Sequence, residues 1–126
     1  MSREYSRTQR VNQLLREEIS RLLRDEVKDA RIGMVTITDV EASPDLKVAK
    51  VYIQTVGDEG RQVQALKGLA SAAGFIRSRL GRELRIRRAP ELHFAIDRTL
   101  ERAARIEELL HRIRDDDGAD GGGNGV

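Results

Sequence analysis

The apolar residues of this chain change their spacing repeatedly, and each change dictates a different backbone. Val11, Leu14, Leu15, Ile19, Leu22 and Leu23 recur at helical intervals, which predicts a helix from about Thr8 to Arg24 with one apolar stripe. The helix is expected to end in a turn at Lys28-Asp29-Ala30-Arg31, just before Gly33. Val35-Thr36-Ile37-Thr38-Asp39-Val40 is rich in β-branched residues, Ser43-Pro44-Asp45 is a turn signal, and Val48 to Val56 reads as a second strand. In that strand Val51, Ile53 and Thr55 share one face, and Tyr52 and Gln54 the other. Helical spacing returns after the polar loop Gly57-Asp58-Glu59-Gly60, with Val63, Leu66, Ala70 and Ala73 on one side. A second short helix is expected after Gly74, carrying Ile76, Leu80 and Leu84. Beyond Pro90, Leu92, Phe94 and Ile96 alternate with His93, Ala95 and Asp97 as a third strand. A last amphipathic helix runs from Thr99 to about Arg114 through Ala103, Ile106, Leu110 and Ile113.

The order α-β-β-α-α-β plus a terminal helix predicts an α+β fold with helices on one face of a three-stranded sheet. At 126 residues the chain is long enough for one domain with a two-layer core, placed at residues 1–114. Residues 115–126 are rich in glycine and aspartate and carry too little apolar surface to order themselves, so a disordered acidic tail is expected there.

Several classes of chemistry drop out. The chain has no cysteine, which excludes disulfides, zinc–thiolate sites and thiol catalysis. No run of about 18 apolar residues is present, and the start MSREYSRTQR is too polar for a signal peptide, so a soluble cytoplasmic protein is expected. His93 and His111 have no serine or metal-ligand partner in local register. Glu17-Glu18 and Glu107-Glu108 share their helices with arginines, where ion pairing is the simpler account. No Walker-type or dinucleotide glycine loop occurs. The expectation is therefore a binding protein with no catalytic residues, no metal and no cofactor.

Charge is informative in its distribution rather than its total. The formal charge is +2, from 23 basic and 21 acidic residues, but acids collect at Asp115, Asp116, Asp117 and Asp120. Between Ala72 and Arg88 the small residues Ala72, Ala73 and Gly74 interrupt the helical pattern, and six arginines follow: Arg77, Arg79, Arg82, Arg85, Arg87 and Arg88. Only Glu83 lies among them. Small residues let another backbone come close, and guanidinium forks bind phosphate oxygens directionally. Arg3, Arg7 and Arg10 on the first helix would add a second contact. The plainer alternatives are a solvated helix face for the arginines and a helix-packing role for Gly74. Aromatics are few (Tyr5, Tyr52, Phe75 and Phe94, with no tryptophan), so an aromatic platform for single-stranded bases is not expected as the main mode. Phosphate and shape recognition fits better.

Two strings imitate the GxxG loop with which KH domains clamp nucleic-acid backbone: Gly57-Asp58-Glu59-Gly60 and Gly118-Ala119-Asp120-Gly121. Both carry acids that repel phosphate, and the first follows a strand, so both read as plain loop. The position between the two expected helices, where a KH domain holds its clamp, is taken by Ala72-Ala73-Gly74. In this the chain resembles the ribosome-binding factor A family, bacterial small-subunit maturation factors with a KH-like fold and an Ala-x-Gly interhelical kink. The resemblance spans about Arg7 to Ile113. It rests on Arg10-Val11, Asp29 and Arg31, Ser43 with Asp45, Ala49-Lys50-Val51-Tyr52, Gly74-Phe75-Ile76-Arg77, Arg87, Pro90-Glu91-Leu92, Phe94 and Asp97. Ala30 departs from it, since the family usually has proline there, and the acidic tail lies outside it.

The resemblance implies a KH-like domain of type II element order that binds the free small (30S) ribosomal subunit and its 16S rRNA near the decoding region. It further implies a part in late rRNA processing and cold adaptation. No membrane partner is expected, and the chain is expected to be a monomer. The alternative reading from composition is a protein–protein adaptor whose arginine-rich surface meets acidic partners.

Overall fold

In the computed structural model, backbone is described for residues 2–124 and side chains for residues 7–116. The elements run α1 (Ser2–Asp25), β1 (Val35–Ala42), β2 (Val48–Thr55), α2 (Glu59–Glu83), β3 (Glu91–Ile96) and α3 (Thr99–Asn124). Internal contacts divide the chain into two units, residues 1–96 and residues 97–126. The first holds the sheet with α1 and α2; the second is built on α3.

The sheet has the order β1-β2-β3, with β1 and β2 antiparallel and β2 and β3 parallel. Its inward face is aliphatic: Ile37, Val40, Ala49, Val51, Ile53 and Leu92 are all buried. They pack with Leu15, Ile19 and Leu22 of α1 and with Leu69, Ile76 and Leu80 of α2. Both helices of this unit therefore cover one face, as the alternation in β2 and β3 predicts. In β1 the spacing is irregular, because Ile37 and Val40 are three apart and a regular strand would point them to opposite sides. The register with β2 shifts here: Ile37 lies opposite Ile53, Asp39 opposite Tyr52 and Val40 opposite Val51. The bulge absorbs Thr38, so both aliphatic residues reach the core.

The second half differs from the sequence expectation in one large respect. α2 is a single helix of 25 residues, so the break expected at Ala72-Ala73-Gly74 does not divide it, and the order is α-β-β-α-β-α. Alanine is the strongest helix former, and one interior glycine weakens a helix by about 1 kcal/mol without ending it. Burial of Leu69 on one side of the tripeptide and of Ile76 and Leu80 on the other holds the helix through it. The buried face is also offset from the predicted one. It runs through Ala65, Gly68, Leu69, Ile76 and Leu80, while Val63 is 44% exposed and Ala70 faces solvent.

Gly68 explains the offset. A Cβ there would lie 2.7 Å from Ile32 Cγ1 and 3.3 Å from both Arg31 Cβ and the Ile32 backbone nitrogen. The helix crosses the turn after α1 at backbone contact distance, and a small residue is what permits it. Gly68, rather than Gly74, is the packing glycine. Asp29 builds that turn: its carboxylate accepts from the Arg31 backbone N–H at 2.9 Å and from Arg31 Nη2 at 2.7 Å. The hydrogen bond from the Arg31 side chain is the larger cause of an Asp29 carboxyl held below its usual range.

The string Gly57-Asp58-Glu59-Gly60 opens α2. Asp58 is the N-cap, accepting from the Arg61 N–H at 3.0 Å, and Glu59 places an acid in the first turn. α3 continues past the Arg114 end given by its periodicity to Asn124, and no proline interrupts that stretch. The expected tail from 115 onward falls largely on side chains outside the described residues, as does Gly118-Ala119-Asp120-Gly121.

Two alanine substitutions separate the glycines of α2. Gly74→Ala is expected to stabilise the fold by about 0.5–1 kcal/mol, since its Cβ meets nothing and alanine is the better helix former. Gly68→Ala is expected to destabilise by about 1–3 kcal/mol despite the same propensity gain, because Ile32 is buried and cannot give way. Chemical denaturation of both variants beside the parent chain checks the opposite signs.

Candidate nucleic-acid interface

The arginines of α2 and the loop after it do not form one class. Arg77 is half-buried and its Nε donates to the Ala89 carbonyl at 2.9 Å, tying the helix to the end of the loop that enters β3. Arg79 is also engaged. Its Nη1 lies 3.4 Å from Glu26 Oε1, and its guanidinium carbon sits 5.2 Å from the centroid of the Phe75 ring. Glu26 is shared, because Arg21 Nη1 reaches its other oxygen at 3.2 Å while Arg21 Nε donates to Glu18 at 2.9 Å. The hydrogen bond from Arg21 to Glu18 is the largest reason that this guanidinium is held above its already high usual range. Arg77 and Arg79 thus hold structure together before they meet any ligand.

Arg82, Arg85, Arg87 and Arg88 are different: all four are exposed, and none has an ion pair among the described residues. Arg82 also lies in the last turn of α2, where the helix dipole favours a cation. Arg85 occupies a conformation that only a few residue types adopt readily. The Leu84 N–H bonds Leu80 O at 2.9 Å and the Ile86 N–H bonds Gly81 O at 3.1 Å, a Schellman-type helix end with Arg85 in the left-handed position at φ 52°. Glycine or asparagine is usual there, and another residue costs about 1 kcal/mol or more. The signal was present in the sequence as the lack of any glycine or asparagine between Leu84 and Ala89, but it shows only once the helix end is known.

The expected small-residue segment lies on the helix surface rather than at a helix junction. Ala72 and Ala73 are half-exposed, Gly74 is exposed, and a Cβ on Gly74 would have nothing within 4 Å. Ala70, Gly74 and Ser78 line up at four-residue spacing and lead to Arg82, so α2 presents a low, open surface beside exposed cations. Arg7 and Arg10 are exposed on α1 without ion pairs among the described residues, and the Arg3 side chain lies outside them.

Sequence reasoning missed Glu26 as the acid that occupies Arg79, and it missed the exposure of Phe75, which is 42% accessible. Neither leaves a local signal: Glu26 lies beyond the end of α1, and Phe75 precedes the buried Ile76 by one residue.

Arg85→Gly is expected to raise the stability of the chain by about 1 kcal/mol by relieving the left-handed arginine. An increased denaturation midpoint with unchanged denaturant dependence checks it; a lowered midpoint would show that the arginine side chain, and not its backbone, governs this helix end.

Comparison with known proteins agrees with the fold just described. Residues 7–110 match the family model described as ribosome-binding factor A. The ribosome-binding factor A of Azoarcus sp. (strain BH72) is 46% identical over 125 residues, spanning 93% of this chain and 99% of that one. The crystal structure of ribosome-binding factor A from Thermus thermophilus superposes with a TM-score of 0.66 at 26% identity, covering 73% of this chain and 97% of that one. A homology model of the Thermus thermophilus factor, fitted into a cryo-electron microscopy map of its complex with the 30S subunit, aligns with a TM-score of 0.52. It is 32% identical, and the alignment covers 72% of this chain and 91% of that one. Matched along nearly all of its first unit and much of its last helix, the chain belongs to the ribosome-binding factor A family.

Proposed function

We propose that this protein binds the small (30S) ribosomal subunit through its 16S rRNA and acts in the cytoplasm as an assembly factor, supporting late maturation and rRNA processing. The observation that carries the reading is that one exposed side of α2 carries a glycine that packs against nothing, Gly74, and leads two turns later to Arg82 and the arginines after the helix, which have no ion pair among the described residues. Gly74 and Arg85 both lower stability without a return inside the fold, and such concessions gather at binding sites. Phosphate supplies the missing partner: it matches the guanidinium fork and approaches closely where side chains are absent. The Thermus thermophilus relative fitted into a 30S complex supports the same target.

In this reading the open surface around Ala72-Ala73-Gly74 does the work of a KH clamp while remaining within a continuous helix. Arg82, Arg85, Arg87 and Arg88 bind phosphates directly, with Arg3, Arg7 and Arg10 as a second contact from α1. Arg77 and Arg79 support the surface from within. No bond is made or broken. Binding favours one conformation of the maturing RNA by the difference in affinity between states.

The test is cosedimentation of the full chain with purified small subunits across a salt series. Combined reversal in Arg82→Glu, Arg87→Glu and Arg88→Glu is expected to weaken binding strongly. It is also expected to flatten the dependence of log K on log salt by about 0.7–0.9 for each phosphate no longer neutralised. Unchanged affinity and slope would remove the interface from these arginines. Binding that survives ribonuclease digestion of the subunit would favour the protein–protein adaptor instead.

A further inference from the structure

Among the described residues, Phe75 is the aromatic side chain that the packing of this unit does not explain. Phe94 lies against the core and Tyr52 is half-buried, whereas Phe75 is 42% exposed on the open side of α2. Its neighbours on the helix, Leu69, Ile76 and Leu80, already fill the buried face. The ring is nevertheless not loose. The Arg79 guanidinium carbon lies 5.2 Å from its centroid, and that guanidinium is itself paired with Glu26, so the ring is braced by a cation that already has a partner.

The braced ring forms one wall of a shallow depression of about 210 Å³ between α2 and the segment after α1, with Ala72, Val27 and Lys28 among its other walls. Two carboxylates also line it, and both are already neutralised inside the protein. Glu26 is shared by Arg21 and Arg79, and Asp29 is held by Arg31 at 2.7 Å. Lys28 is exposed and has no ion pair among the described residues. The charge left over is therefore positive, beside an aromatic face, and Arg82 follows Phe75 by two helical turns on the same side.

We propose that this depression takes a single unstacked nucleotide of RNA, its base lying on the Phe75 ring and its phosphate meeting Lys28. The inference rests on the RNA-binding reading above and adds a requirement to it: the RNA must offer a base that is not already stacked in a helix. One ring is not a platform, so phosphate contacts still supply most of the affinity. What the ring adds is a preference for single-stranded RNA that is indifferent to base identity, because every base has a π face.

The full chain with Phe75→Leu or Phe75→Trp tests this, titrated with a short single-stranded RNA of mixed sequence and with the same RNA annealed to its complement. Phe75→Leu is expected to fold with the parent's Tm, since the ring is half-exposed, and to bind single-stranded RNA about tenfold more weakly. Its affinity for the duplex and its salt slope are expected to stay as in the parent. The chain has no tryptophan, so Phe75→Trp introduces a single indole, excited selectively over Tyr5 and Tyr52, whose emission the single-stranded RNA, but not the duplex, is expected to quench. Undiminished single-stranded binding by Phe75→Leu, or emission from Phe75→Trp that does not move while RNA is bound, overturns the stacking site and leaves the arginine interface standing. If the parent chain binds neither RNA form, the RNA reading fails first and the stacking site with it. Quenching by small subunits that persists after ribonuclease digestion assigns the ring to a protein partner and also overturns the proposal.

Discussion

The first unit depends on α2 lying close against everything else. Leu69, Ile76 and Leu80 give one side of the helix to the sheet and α1, and Gly68 lets it touch the backbone of the turn at Arg31 and Ile32. With that side fixed, the other side is fixed too, because a helix offers no freedom to rotate one face without the other. The exposed surface of Ala70, Gly74, Phe75, Ser78 and Arg82 is thus aimed by the core beneath it. Substitutions that leave this surface untouched but loosen Gly68 or Ile76 would misdirect it all the same.

Within that frame the arginines divide by what already occupies them. Arg21 and Arg79 share Glu26, and Arg77 Nε is taken up by a backbone carbonyl, so these guanidiniums stitch α1, α2 and the loop into one body. The pairs involving Glu26 are partly exposed and individually weak, yet they decide which cations remain available. Arg82, Arg85, Arg87 and Arg88 remain, and they cluster where α2 ends. A count of positive charge alone would have ranked all six arginines from Arg77 to Arg88 as equals.

Much of this was legible in the sequence. The strands, the α1 stripe except for Leu14, which is 51% exposed, and the β2 and β3 alternation follow directly from side-chain period, and the residues from Arg10-Val11 to Asp97, taken in their order, point to the family. The single helix α2 was not legible, because Ala72-Ala73-Gly74 reads as a break by composition while alanine propensity and flanking burial carry the helix through. The offset of its buried face was hidden for a related reason: Ala65 and Gly68 are small, and small residues give a weak apolar signal even where packing is tightest. The bulge at Thr38 and the left-handed Arg85 are backbone events that appear only when partners are known. The acid that occupies Arg79 lies far away in sequence, and pairs of that kind cannot be read from local spacing.

The loop from Leu84 to Ala89 has one more consequence. It is staked at both ends, at the start by the Ile86 bond to Gly81 and at the finish by the Arg77 bond to Ala89. Its backbone therefore has little conformational entropy left to surrender when a ligand arrives, and only the arginine side chains need to settle. A flexible tail with the same three arginines, Arg85, Arg87 and Arg88, would carry the same charge and would have to order itself on every encounter. The fold, by closing this short loop in advance, turns an ordinary run of cations into a preorganised one.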